Sequence, residues 1–419
     1  MRFAFPPYLL RAASLSLHRR DACATNVYSM KIALLRQRVT AQGGAETTLS
    51  YLVRGLAAAG HGVTVYGTDR GAEAQATLGP GIRYIQVPVW GGKTLRLLIF
   101  ALNSRRLLES SGPQVVLSLE RVLNPQVYRA GDGCHREWLT RRTPYLSLPA
   151  QAAQFLSPFH RMMLQVERRL FTFPGLRRVI ANSRQVRDEV IRHYFVSPDR
   201  IRVIYNGLDR RRFHPLGAGA QADLRRRLGG PDDGEIILFV GSGFERKGLT
   251  YLLQAFSSLK DKTGHLWVVG KGNIAPYRQE ATRLGVAHRV KFLGPLTETA
   301  PYYQAATVLA LPTLYDPCSN VVLEAMACGT PVVTTSANGA KEFITPDDNG
   351  AIIPQPDDIV GLAEALSLFL DRGRDLYIRQ SATEAVAGLS WEATVAQTLE
   401  VLEDAAAGFS LDNYSFHNC

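Results

Sequence analysis

Two carboxylates eight residues apart, Asp316 and Glu324, flank the stretch of this chain best suited to chemistry. Between them lies a polar loop that follows an apolar strand pattern at Val308 to Leu311 and leads into a short helix pattern at Val321 to Cys328. A helix that begins beside the carboxyl end of a strand offers free backbone N–H groups and a favourable dipole to an anion. The stretch therefore predicts a phosphate site, with both carboxylates facing a sugar-bearing ligand.

A pair of basic residues, Arg246 and Lys247, forms the second candidate site. They lie in the turn Gly241 to Gly248, directly after the apolar strand pattern Ile236 to Val240 and before a helix. A guanidinium donates two parallel hydrogen bonds to a phosphate and an ammonium adds a compact charge. An Arg-Lys pair alone is more often a solvated loop, but this position upstream of Asp316 favours diphosphate binding.

The first half of the chain holds two further strand-to-turn junctions. Gly43 and Gly44 follow the first strand, where residues without side chains let the backbone approach a ligand closely or simply make a tight turn. Asp132 and His135 follow another strand, at the edge where open α/β sheets place ligands. A glycine-rich turn with a solvated aspartate explains the second junction about as well as a binding role does.

Composition indicates an ordinary soluble globular protein. At 419 residues with 46% hydrophobic content, two domains are expected. The five cysteines are scattered and form no CxxC pair, so neither a disulfide framework nor a zinc site is predicted and a reducing cytosol fits best. No apolar run reaches the length of a membrane span, which predicts a cytoplasmic location.

The positive charge is concentrated in the first half of the chain. The net charge is +11, and residues 1–205 carry +17 against −6 for the remainder. A basic half predicts an anionic partner: a membrane surface, a phosphorylated acceptor or nucleic acid. Nucleic acid ranks last, because no basic stripe interleaved with aromatic residues is present.

Strand and helix patterns alternate twice along the chain, which predicts two domains of α/β class with parallel strands. The first is expected at residues 30–209 and the second at residues 210–389. A final amphipathic helix with Ser390 as its N-cap is predicted at residues 390–407. Residues 1–29 are expected to form a leader of uncertain order, and residues 408–419 a loose tail.

Several of these motifs, in this order, resemble the retaining family 4 glycosyltransferases. The string from Asp316 to Glu324 is similar to that family's acidic-x7-Glu signature, with Asp in place of the usual Glu, and the Arg246-Lys247 turn is similar to its diphosphate clamp. The resemblance implies the GT-B fold, with two Rossmann-like domains facing across a cleft and a C-terminal helix crossing back to the first domain.

The same resemblance implies roles for individual residues. Donor binding would fall to Arg246, Lys247, Asp316 and Glu324, to the backbone around Gly43, Gly44 and Gly241, and to the amides at Ser319, Asn320, Val321 and Val322. Asp132 would face the acceptor hydroxyl, with His135 a weaker candidate, as in similar lipopolysaccharide-core glucosyltransferases. The substrates implied are a UDP-linked hexose, glucose by resemblance, and a lipopolysaccharide-core or other glycan acceptor, with no metal ion or other cofactor.

Residues 136–178 combine arginines with eight aromatic or methionine side chains. This mixture suits peripheral contact with an anionic inner membrane, and equally a helix packed on the sheet with a solvated polar face.

Two rival functions also remain at this point: a nucleotide-sugar epimerase or phosphorylase of similar architecture, and a catalytically silent binding protein, which the Asp316 departure would suit.

Overall fold

The computed structural model describes residues 29–39, 43–231, 234–259 and 264–407. The predicted tail and all but the last residue of the predicted leader lie outside the described residues. No helix in the described part of the chain is both long and apolar enough to span a bilayer.

The first domain is built on a seven-stranded sheet with the strand order β3-β2-β1-β4-β5-β6-β7, and its paired strands are parallel. Its strands are β1 (Lys31–Leu35), β2 (Gly62–Gly67), β3 (Arg83–Gln86), β4 (Val115–Ser118), β5 (Val127–Ala130), β6 (Arg178–Ala181) and β7 (Ile201–Val203). Its helices are α1 (Gly44–Ala58), α2 (Gly71–Leu78), α3 (Lys93–Ser111), α4 (His135–Arg142), α5 (Leu148–Leu156), α6 (Pro158–Thr172) and α7 (Arg184–Tyr194).

The second domain repeats the plan with a six-stranded parallel sheet in the order β10-β9-β8-β11-β12-β13. Its strands are β8 (Ile236–Val240), β9 (His265–Val269), β10 (Val290–Gly294), β11 (Val308–Leu311), β12 (Val332–Thr335) and β13 (Gly350–Ile353). The remaining helices are α8 (Ala218–Arg227), α9 (Leu249–Ser257), α10 (Ala275–Arg283), α11 (Ala300–Ala305), α12 (Asn320–Ala327), α13 (Ile359–Arg372), α14 (Leu376–Ala385) and α15 (Trp391–Ala407).

Both sheets reverse their strand order next to the first strand of the domain. The reversal lies between β1 and β4 in one sheet and between β8 and β11 in the other. At such a switch point the two loops that leave the carboxyl ends of neighbouring strands diverge and open a crevice for a ligand. The predicted fold class is confirmed, and the switch points explain why both candidate turns of the second domain lie at one place.

Helix α15 crosses back onto the first domain, as predicted. Its Val401 and Leu402 are buried in the same apolar cluster as Leu52 and Leu56 of α1. Ser390 accepts a hydrogen bond from the amide of Ala393 at 3.1 Å, which is the predicted N-cap. Burial of this apolar face, rather than helix propensity, holds the crossing in place.

The structure differs from the sequence prediction where elements are short or half exposed. The edge strand β3, with exposed ends, carried no clear apolar pattern. In residues 136–178, three separate helices replace one amphipathic stretch. Phe171 is buried in the core there, stacked on Tyr194, so it is not available to a membrane.

The two chain crossings between the domains lie directly against each other. A Cβ added at Gly207, where the chain leaves the first domain, would collide with the backbone of Trp391, where it returns. Tyr51 of α1 stacks on Trp391 with ring centroids 4.4 Å apart. The close backbone approach therefore requires glycine at position 207.

We predict that Gly207→Ala lowers the free energy of unfolding by about 1–3 kcal/mol, because the added methyl group overpacks a backbone contact. Urea denaturation measures the change. Gly388→Ala is the matched control, since a Cβ there meets no atom within 4 Å. Equal midpoints for Gly207→Ala and the control would contradict the close packing of the crossings.

Candidate functional site

The predicted residues of both domains converge on one cavity of about 540 Å³ between the sheets. The loops after β8 and β11 enter it from the second domain because these strands are neighbours in the sheet. Of the residues selected from the sequence, those that line it are Gly43, Gly44, Asp132, His135, Gly241, Arg246, Lys247, Asp316, Ser319, Asn320 and Val321.

Lys247 and Asp316 form a buried ion pair at the centre of the cavity wall, each only 6% exposed. Arg246 adds its Nη1 atom at 3.6 Å from the same carboxylate. Burial raises the pKa of Asp316, but the charges of Lys247 and Arg246 outweigh it and hold that pKa below its ordinary value. Asp316 is therefore an anion. It pairs with the two cations that were predicted to bind a diphosphate.

The N-terminus of α12 opens into the same cavity. Asn320 and Val321 are its first two residues, and their amides have no acceptor among the described residues. The amide of Ser319 donates to Asn338 Oδ1 at 3.3 Å, and that of Val322 donates to the Ser319 carbonyl at 3.1 Å. Two of the four predicted amides are thus free for an anion and two are not.

Two residues expected at the ligand lie away from this cavity. Val322 is fully buried in the core of the second domain. Glu324 lines a separate cavity of about 90 Å³ and accepts a hydrogen bond from Tyr303 at 2.9 Å. Glu324 lies four residues, about one turn, beyond Asn320, so it is displaced along the axis of α12 away from the loop, and Asp316 and Glu324 do not face one space.

On the acceptor side, Asp132 is half exposed and lies 3.6 Å from Arg36. The His135 ring nitrogen Nε2 lies 3.1 Å from His160 Nδ1. Burial, with the charge of Arg121, lowers the pKa of His135 to about 4, so its imidazole is neutral at physiological pH. Asp132 can accept a hydrogen bond from a hydroxyl, and His135 offers no positive charge.

A buried carboxylate that sequence reasoning missed, Glu167 of α6, holds this loop. It accepts hydrogen bonds from Arg121 Nε at 2.8 Å and from the His135 amide at 2.7 Å, where it caps α4. Arg121 in turn donates to the Gly133 carbonyl. Glu167 shares the buried face of α6 with Val166 and Leu170, and an acidic residue on an apolar helix face was the available signal.

Tyr315, also missed, joins the donor loop to the acceptor loop. Its hydroxyl donates to Glu189 at 2.6 Å and accepts from the Cys134 amide at 3.1 Å. Gly133, with φ of 65°, leaves the space that this hydroxyl fills. Because Tyr315 immediately precedes Asp316, the positions of the two loops are coupled across the domain boundary.

A second contact across the boundary involves the turn that carries Glu342. Glu342 accepts from the backbone amides of Arg184 and Gln185 at 3.2 and 3.0 Å, and so caps α7 of the first domain. Ser183 donates to the Pro317 carbonyl at 2.6 Å beside it. In this arrangement Glu342 holds the domains together and does not face the cavity.

Two family models match the chain, one in each domain. Residues 42–212 match the model described as Glycosyltransferase Family 4, and residues 234–372 match Glycosyl transferases group 1. A D-inositol 3-phosphate glycosyltransferase of Salinispora arenicola is 31% identical over 259 residues, which cover 58% of this chain and 58% of the relative. The chain thus spans less than two thirds of the length of the curated relatives it matches.

Solved structures share the fold over almost the whole described chain. WaaG, a glycosyltransferase involved in lipopolysaccharide biosynthesis, superposes with a TM-score of 0.76 at 22% identity, covering 88% of this chain and 99% of WaaG. HepE of Anabaena, solved in complex with UDP-glucose, gives 0.69 at 20% identity, covering 90% of this chain and all of HepE. At these identities the likeness concerns the fold alone.

We predict that Glu189 makes the protein less stable as the pH rises from 5 to 8. Burial raises the pKa of Glu189 to about 7, opposed by the Tyr315 hydrogen bond, raised further by Glu137 and lowered by Arg141. The folded state then binds more protons than the unfolded state above the ordinary carboxyl pKa, so stability present at low pH is lost as the pH passes about 7.

The expected loss is about 2 kcal/mol in the free energy of unfolding. Glu189→Gln should remove this part of the pH dependence, measured by urea denaturation at both pH values, while Glu403→Gln on the exposed face of α15 should not. Identical pH profiles for wild type and Glu189→Gln would show that the carboxyl is ordinary.

Proposed function

We propose that this chain belongs to the group 1 and family 4 glycosyltransferases, whose two models match its two domains, and that it transfers a hexose from a nucleotide sugar to a glycan acceptor with retention of configuration. The observation that supports it most is the convergence of Arg246, Lys247 and the free amides of α12 on one cavity, opposite Asp132. Positive groups on one wall and a hydroxyl acceptor on the other suit the transfer of a sugar from a diphosphate.

The main catalytic task in this proposal is to stabilise the departing diphosphate. The bond between the anomeric carbon and the phosphate oxygen breaks through an oxocarbenium-like state, and negative charge grows on that oxygen. Arg246, Lys247 and the amides of Asn320 and Val321 would receive this charge in a site preorganised for it. With two cations in place, we propose that the reaction needs no metal ion.

The acceptor hydroxyl would approach from the first domain. Asp132 would accept its hydrogen bond and orient it, while the proton passes to an oxygen of the departing phosphate as the new glycosidic bond forms. Asp316 would contact the donor sugar once the diphosphate shares Lys247 with it. Neutral His135 would make at most a hydrogen bond to the acceptor.

The identities of the donor and of the acceptor are also proposals. A UDP-linked donor, glucose by resemblance, is supported by the HepE complex, and a lipopolysaccharide-core acceptor by the likeness to WaaG. The inositol 3-phosphate relative suggests a phosphorylated polyol as a second acceptor class. Nucleotide release from UDP-, GDP- and ADP-sugars, with and without each acceptor, tests these donors and acceptors. An epimerase would instead release an altered sugar, a phosphorylase would need phosphate in place of an acceptor, and a silent binding protein would release no nucleotide.

We predict that Lys247→Ala lowers the rate of transfer about 100-fold, because it removes a charge from the departing diphosphate. Product formation by the purified variant, assayed with and without EDTA, measures the effect. Lys291→Ala, on the exposed strand β10, is the control and should keep the wild-type rate. Wild-type rates in Lys247→Ala would refute the site, and loss of activity with EDTA would refute the metal-free mechanism.

We also propose that the first domain contacts an anionic membrane surface. Leu148, Phe155 and Leu156 of α5 are 64–81% exposed, and Trp90, just before α3, is 61% exposed. The helices α3 and α6 are neighbours, with Lys93 over the ring of Phe159 at 4.2 Å. Exposed apolar side chains on adjacent elements of a basic domain suit an interface with anionic lipid.

Flotation with vesicles containing anionic lipid tests this surface. Changing Leu148, Phe155 and Leu156 together to Ser should lower the bound fraction about tenfold or more, since each apolar side chain contributes to insertion. Charge reversal at Arg168 and Arg169 should weaken binding through the headgroups. The control is Leu376→Ser with Tyr377→Ser, two exposed apolar residues of the second domain. Unchanged flotation of both first-domain variants would end the proposal.

A further inference from the structure

Arg129, the third residue of β5, is a buried cation whose charge is not neutralised within the described chain. It is 1% exposed and lines the cavity between the domains. Its Nη2 atom donates to the Ile204 carbonyl at 3.2 Å and to Asn206 Oδ1 at 2.8 Å, while Nη1 has no acceptor among the described residues. Burial lowers the pKa of Arg129 to about 10, so the guanidinium remains charged at neutral pH.

The other first-domain arginines of the cavity differ from it. Arg36 forms ion pairs with Glu46 and Glu120, and Arg121 forms one with the buried Glu167. Among the described residues no carboxylate lies within ion-pair distance of Arg129. A buried charge without a counterion is costly, and an anionic ligand in the cavity would supply what the protein does not.

The surroundings of Arg129 indicate which anion this is. Asn206, which accepts from Arg129, donates through Nδ2 to Asn320 Oδ1 at 2.6 Å, and Asn320 is the first residue of α12. A Cβ at Gly44, the first residue of α1, would lie 3.0 Å from Asn320 Nδ2. Arg129 is therefore linked through Asn206 to the N-terminus of α12, which lies against the N-terminus of α1, an arrangement suited to phosphate.

We propose that Arg129 Nη1 binds a phosphate oxygen of the donor's diphosphate, from the domain opposite Arg246 and Lys247. This rests on the proposed function and adds to it a first-domain cation in the nucleotide site. The diphosphate is then held from both domains at once, so that its release requires the cleft to open. A phosphate on the acceptor has the same chemistry, and the experiment separates the two sources.

The test compares the binding of UDP, by titration calorimetry, with that of uridine, by competition, to full-length wild type and variants. Arg129→Met should weaken UDP binding roughly ten- to hundredfold, as expected for a lost hydrogen bond between charged groups, and leave uridine binding unchanged. Arg129→Lys, which retains the charge, should recover part of the loss. If wild type prefers GDP or ADP, that diphosphate and its nucleoside replace UDP and uridine.

Arg379→Met is the matched control. Arg379 of α14 is also a buried arginine with an unpartnered Nη1. Its Nη2 atom donates to the Cys328 carbonyl at 3.3 Å, beside the C-terminal end of α12, and it does not line the cavity. It should lose stability in the manner of Arg129→Met and keep wild-type UDP affinity. This contrast separates a general cost of removing a buried guanidinium from a loss of phosphate binding.

Three results would overturn the inference. One is unchanged UDP affinity in Arg129→Met. If the binding of a sugar monophosphate falls at the same time, the anion bound by Arg129 is the phosphate of the acceptor. Another is an equal loss for UDP and uridine, which would indicate a collapsed site. The third is an equal loss of UDP affinity in Arg379→Met. If wild type binds no nucleoside diphosphate at all, the proposed function itself fails, which is a separate outcome.

Discussion

The electrostatics of the cleft depend on the buried ion pair between Lys247 and Asp316. Neither charge would be stable without the other in this buried wall of the cavity, because removing an unpaired ion from water costs several kcal/mol, by order of magnitude. With Arg246 beside them, the three groups carry one net positive charge. Under the proposed function, an incoming diphosphate would share the ammonium with a carboxylate already present.

The pair also depends on a contact with the other domain. Tyr315 precedes Asp316 in the chain, and its hydroxyl is held by the Cys134 amide and by Glu189 of the first domain. The loop carrying Asp132 is fixed from behind by Glu167 through Arg121. Hydrogen bonds between buried groups thus hold both walls of the cavity in position.

The sequence was most informative where physical constraints are local. The strands β8 and β11 were predicted with their observed bounds, since a parallel strand buried on both faces is a continuous apolar run. Arg246, Lys247 and Asp316 meet because their loops follow neighbouring strands. The fold and the proximity of these three residues could therefore be predicted, while the directions of single side chains could not.

The side-chain directions failed for identifiable reasons. The spacing placed Glu324 beside Asp316, but Glu324 lies about one helical turn further along α12 and lines a separate cavity. The amide of Val322 was expected to face the ligand and instead donates to the Ser319 carbonyl. Arg129 and Glu167 escaped notice although each places a charge on an otherwise apolar strand or helix face. A charged residue on a buried face is costly unless it is paired, and that rule was the missing signal.

The contact between Gly207 and Trp391 has a mechanical consequence. Both passages of the chain between the domains meet there, so the chain itself joins the domains only at that place. The small cavity at Glu324 includes Gly207 and Trp391 in its lining, and it shares Asn320 with the main cavity. A rotation of one domain about this place would displace the backbone at Gly207 least, and it would have to break the contacts of Tyr315 and Glu342 with the first domain before the cleft could open.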